Sequence, residues 1–67
     1  MDMVNFIILT KRGDGRGIVL RTDDIVRVTD EGDFRIVHFR EGERINLEHV
    51  REDIKVILNQ IQQVYHV

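Results

Sequence analysis

Residues 11–17, Lys-Arg-Gly-Asp-Gly-Arg-Gly, hold three cations and three glycines in seven positions. That is the composition of a loop whose backbone amides can cradle a phosphate. A nucleotide-binding loop of this kind needs a Lys-Ser/Thr pair opening a helix directly after the glycines. Here Ile18-Val19-Leu20 follows, a strand-type run, and serine is absent from the chain. The segment reads instead as a hairpin loop whose glycines supply positive φ angles. His38, His49 and His66 are the only imidazoles. Metal ligands converge from a fixed spacing such as i, i+4 on a helix, whereas these three fall on a strand and near the two ends of one helical segment. Thr10, Thr22, Thr29 and Tyr65 are the only side-chain hydroxyls, and there is no cysteine. Asp23-Asp24 and Glu52-Asp53 are adjacent carboxylates, and neighbours in sequence diverge rather than face one another across a substrate. They read as solvated charge, with Glu52-Asp53 suited to the first turn of a helix. No nucleophile, acid–base pair or cofactor loop emerges; the expectation is a chain that is not an enzyme and holds no metal or cofactor.

The cations carry a second possibility. Eight of the ten basic residues are Arg, whose planar fork suits phosphate and carboxylate. Residues 1–21 carry a net +2 and residues 22–33 a net −4. A nucleic-acid binder couples a basic surface to exposed aromatics, and at least three of the four aromatics here fall in core-like positions. The charge asymmetry favours protein docking over an RNA groove.

The elements that must position these residues follow from periodicity. Val4–Lys11 is an apolar strand, and Ile18–Arg21 returns from the glycine loop. Thr22-Asp23-Asp24 is a turn, Ile25–Thr29 a third strand, and Asp30-Glu31-Gly32-Asp33 a hairpin signal. Phe34–Arg40 is a fourth strand, with Phe34, Ile36 and His38 on one face and Arg35, Val37 and Phe39 on the other. After Glu41-Gly42-Glu43, Arg44–Leu47 is a short fifth strand. The period then changes to 3.6: Val50, Ile54, Ile57, Leu58, Ile61, Val64 and Tyr65 share one arc, leaving Val56 as the apolar residue off the stripe. The sequence predicts a helix over 49–65, started by His49 with Glu52 in a capping box. The fold class is α+β: a single domain, an antiparallel meander of four to five short strands closed by one C-terminal amphipathic helix.

The chain has 67 residues, of which 28 are hydrophobic and 18 are Ile or Val. Such a composition excludes disorder, and the absence of cysteine excludes a disulfide scaffold. The longest apolar run, Phe6-Ile7-Ile8-Leu9, is too short to insert into a membrane. No secretory signal opens the chain, so a cytoplasmic location is expected. A core this small supplies about 3–5 kcal/mol of net stability without staples or partners. One helix covers one face of a sheet, yet strands one and four are apolar on both. The second face, with Ile7, Leu9, Val37, Phe39 and Val56, is the expected interaction surface. It implies a homo-oligomer, a dimer in the first instance, and an unidentified protein partner.

Ile8-Leu9-Thr10, Gly17-Ile18-Val19-Leu20, Asp24-Ile25-Val26-Arg27-Val28, Ile36-Val37-His38-Phe39, Gly42, Ile45-Asn46-Leu47 and Val50-Arg51-Glu52-Asp53-Ile54 occur in an order that resembles the FlbD-type flagellar and swarming-motility proteins. That pattern is shared by bacterial and phage proteins. The resemblance implies a non-enzymatic accessory protein acting through protein–protein interaction, and brings no catalytic or ligand residue with it. Separately, Ile8-Leu9-Thr10-Lys11-Arg12 and Arg51-Glu52-Asp53-Ile54 are similar to two segments of the carbon-storage regulator family. That likeness implies the alternative, a small dimeric RNA-binding regulator, with Thr10, Lys11, Arg12 and Arg51 as contacts; under the RNA-binding reading the neighbouring cation Arg16 is a further candidate.

Overall fold

The computed structural model describes residues 5–64, with side chains to Gln62. In chain order they form β1 (Phe6–Thr10), β2 (Gly17–Arg21), a 3-10 turn at Thr22–Asp24, β3 (Ile25–Asp30), β4 (Arg35–Glu41), β5 (Arg44–Val50) and α1 (Ile54–Val64). The fold is α+β, with antiparallel strands and a C-terminal helix, as the periodicity predicts. The strands make two sheets, a β1–β2 hairpin and a β3–β4–β5 meander. They meet where Lys11 bridges Val50 and the Arg12 N–H donates to the His49 carbonyl at 2.8 Å.

The core lies between the two sheets. Ile7 and Leu9 of β1 and Leu20 of β2 face Val37 and Phe39 of β4 and Val50 of β5, and Ile57 of α1 closes the end. Ile18, Ile25, Val28 and Ile61 pack around this cluster. The helix is shorter than its periodicity suggests. Val50 satisfies both the helical stripe and strand alternation, and pairing with Arg35 carries β5 through it to seven residues. His49 is therefore a strand residue, opposite Ile36, and starts no helix. Asp53 does so instead: its carbonyl accepts from Val56 and Ile57, and its carboxylate accepts from the Ile54 N–H at 3.0 Å, the role of an N-cap. Val4, Tyr65 and His66 lie outside the described residues.

The β4–β5 turn needs its glycine, since Gly42 has φ of +63°, a conformation costly for any residue with a Cβ.

Candidate interaction surfaces

Alternation assigns the outward faces. Ile8 stands directly opposite Val19, and Phe6 opposite Arg21. On this outer face of the hairpin Phe6, Ile8 and Val19 are 56 %, 63 % and 59 % exposed, a contiguous apolar patch rather than scattered residues. Across the molecule, the outer face of the meander carries Arg27 and Thr29 of β3, Ile36, His38 and Arg40 of β4, and Ile45, Leu47 and His49 of β5. No carboxylate stands among these residues, although the whole chain is net −2. Ile45 and Leu47 are about half exposed there.

The expected interaction surface is thereby corrected. Ile7, Leu9 and Val37 are fully buried and Phe39 is 9 % exposed, so these four form the core. Only Val56 of that set reaches solvent. The hairpin folds over the meander and buries the Ile7/Leu9 face against the Val37/Phe39 face, which turns Phe6 and Ile8 outward. A signal for this was present in β2, where Val19 shares its face with Gly17 and Arg21 while Ile18 and Leu20 share the other. Among the described aromatics, Phe39 alone is core; Phe34 is half-buried and Phe6 exposed, fewer than the three expected.

The residues proposed to contact RNA divide into two groups. Thr10 and Arg51 are engaged in holding the fold. Thr10 donates from its N–H and its hydroxyl to the two oxygens of Glu52, both at 2.7 Å. Glu52 thus fixes β1 instead of serving a capping box or standing free in solvent. Burial raises the Glu52 pKa, but the two Thr10 bonds, helped by the Arg51 charge, outweigh it and hold the carboxyl below its usual range. Arg51 donates from Nε and Nη2 to the Arg12 carbonyl at 3.3 and 3.1 Å. Its guanidinium lies over Gly15, where a Cβ would meet it at 3.4 Å and where φ is +75°.

The glycine loop is closed on itself. Lys11 N–H donates to the Arg16 carbonyl, Gly15 N–H to the Lys11 carbonyl, and Arg16 N–H to the Asp14 carboxylate. These amides point into the turn and are not offered to an anion. Arg12 is different: its guanidinium sits 4.1 Å above the Phe34 ring, and Phe34 stacks on His49 at 4.9 Å. Beside this stack, Arg12, Gly13, Leu47, Glu48 and His49 line an open depression of about 500 Å³. Lys11 and the exposed Arg16 flank the loop.

Sequence reasoning missed Arg35. It is 7 % exposed and occupies the inner face of β4. Its guanidinium donates to the carbonyls of Glu52 (2.9 Å), Gly32 (2.9 Å) and Arg51 (3.1 Å), and to the Asp30 carboxylate (3.2 Å). The Asp53 carboxylate stands 3.7 Å away. Asp30 has a lowered pKa, chiefly because the Gly32 N–H donates to it, with Arg35 adding to the effect. A planar donor fork satisfies three main-chain oxygens that no neutral side chain could serve together. Its signal in the sequence was a lone cation among apolar residues on an inward face.

Among the described residues no group of three or more His, Asp or Glu side chains could hold a metal ion, and no helix is long and apolar enough to cross a membrane. Compared with protein families, curated proteins and solved structures, the chain matches none.

Proposed function

We propose that this chain is a non-enzymatic bacterial or phage accessory protein, acting in the cytoplasm by protein–protein contact and associating with itself as a dimer. The observation that carries the reading is the Phe6–Ile8–Val19 patch. Burying such a surface against a partner is favourable at roughly 25 cal/mol per Å², and a monomer gains nothing from exposing it. The resemblance to the FlbD-type proteins is the ground for a motility role.

A capture experiment from bacterial lysate tests it, at low and high salt and with nuclease. A protein partner retained at high salt, and lost with Ile8→Asp or Val19→Asp while thermal stability is unchanged, is the expected result. The Arg12–Phe34–His49 stack favours a second reading, RNA binding by Lys11, Arg12 and Arg16. Recovery of nuclease-sensitive RNA, lost with Arg12→Ala and weakening with salt at a log–log slope of ~0.7 per phosphate contact, would replace the first reading by the second.

A further inference from the structure

The β5 strand has an open edge. His49 directs its carbonyl away from β4 and toward Arg12, so alternation points the main-chain groups of Leu47 and Ile45 the same way. The run from Thr10 to Arg12 covers that edge only from His49 to Arg51; over Arg44–Glu48 no backbone partner is present there among the described residues. Ile45 and Leu47 are 51 % and 54 % exposed beside it. Such an edge is a template for a further strand.

The segment on that edge is Arg44-Ile45-Asn46-Leu47-Glu48, and it is complementary to itself. Pair two copies antiparallel about a two-fold axis through Asn46. Ile45 then falls opposite Leu47 of the second copy, both with main-chain groups pointing across the junction, so each such pair exchanges two hydrogen bonds. Arg44 falls opposite Glu48 of the second copy, twice, on the inner face. Neither residue forms an ion pair within its own chain among the described residues. Shifting the two-fold to Ile45 keeps the hydrogen-bond parity but sets Arg44 opposite Asn46 and Glu48 opposite Gly42, and shifting it to Leu47 sets Glu48 opposite Asn46 and Arg44 opposite Val50, so the charges select one register. The other open edges lack this property. β2 has a charge only at Arg21, and in β3 Arg27 and Asp30 differ in parity and cannot stand opposite each other.

We propose that two copies of this chain dimerise by β5–β5 edge pairing centred on Asn46, forming a continuous sheet in which the two meanders share the Ile45/Leu47 surface. This rests on the self-association in the proposed function and names its surface. An isologous two-fold contact of this kind closes on itself and does not propagate.

Sedimentation at micromolar concentration reads the assembly, and oxidation of Asn46→Cys reads its geometry. Residues facing each other at a two-fold non-hydrogen-bonded position lie about 4.5 Å apart at Cα, within disulfide reach, and the chain has no other cysteine. The expected results are a dimer, a dissociation constant raised about tenfold or more by Arg44→Glu or Glu48→Arg alone, its recovery in the double exchange, and cross-linking of Asn46→Cys but not of Glu31→Cys. A dimer indifferent to both reversals, with Asn46→Cys uncross-linked, overturns the β5 junction and leaves self-association standing through another surface. A 7.9 kDa monomer overturns both.

Discussion

The side-chain amide of Gln60 pairs with the backbone of Ile8 as a neighbouring strand would. Its Oε1 accepts from the Ile8 N–H at 3.0 Å and its Nε2 donates to the Ile8 carbonyl at 3.1 Å. Farther along the same edge, Glu52 accepts the Thr10 N–H. One helix residue and one linker residue thus stand in for a missing sixth strand and blunt the free side of β1. Gln60→Ala is expected to cost about 1 kcal/mol and to speed hydrogen exchange at the Ile8 amide selectively. Gln60→Glu should restore neither full stability nor protection, since a carboxylate cannot donate to the Ile8 carbonyl.

Glu52 makes stability depend on pH. Its carboxyl is held below its usual value in the folded chain, so the unfolded chain binds the proton more readily. The contribution is full above the usual carboxyl range near 4.5, and is lost as pH falls through the lower folded value. Glu52→Gln should therefore melt lower than the parent at pH 7 and converge toward it once the medium is acidic enough to protonate Glu52 in the folded chain. Melting temperature against pH for the two proteins checks this.

Arg35 ties the connection between β5 and α1 to the turn between β3 and β4. Arg35→Lys keeps the charge but offers one ammonium where a fork spans the Gly32, Arg51 and Glu52 carbonyls. A loss of about 1–3 kcal/mol is expected, read from urea denaturation. Arg35→Ala should cost more than the lysine exchange, because it leaves the Gly32, Arg51 and Glu52 carbonyls without their donor and removes the packing of a buried side chain.

The two faces of β1 should respond oppositely to the same substitution. Ile7→Asp buries an unpaired charge and is expected to unfold the chain, whereas Ile8→Asp, on the outer face, should leave the circular dichroism spectrum and melt nearly unchanged. Ile57→Ala, at a fully buried position of α1, should cost about 2–5 kcal/mol.

The strand order, the hairpin loop and the amphipathic helix were legible from alternation, turn residues and the change of period. Which apolar face points inward was not legible in β1, because Phe6/Ile8 and Ile7/Leu9 are equally apolar; the local signal lay in β2, where Gly17 and Arg21 share the face of Val19. The helix start was misread because Val50 fits a strand and a helical stripe at once, and only long-range pairing with Arg35 decides between them. Glu52 read as surface charge, and Arg51 as an RNA contact, for the same reason: their partners, Thr10 and the Arg12 carbonyl, are about forty residues away. Arg35 was overlooked because a cation inside a core is legible only once the carbonyls it serves are in place.

The Gln60–Ile8 contact also orders the events of synthesis. The two residues are 52 positions apart, and at about 5–20 residues per second a ribosome takes roughly 3–10 s to travel between them. Once Arg21 has been added, and for the rest of that interval, β1 has its hairpin partner but not the amide that blunts its other side. Nascent chains on neighbouring ribosomes of one message hold the same edge open at close quarters. The edge is therefore most vulnerable to pairing between chains before translation is complete, and slowing translation after β1 emerges should lower the yield of folded protein even though the finished molecule is unchanged.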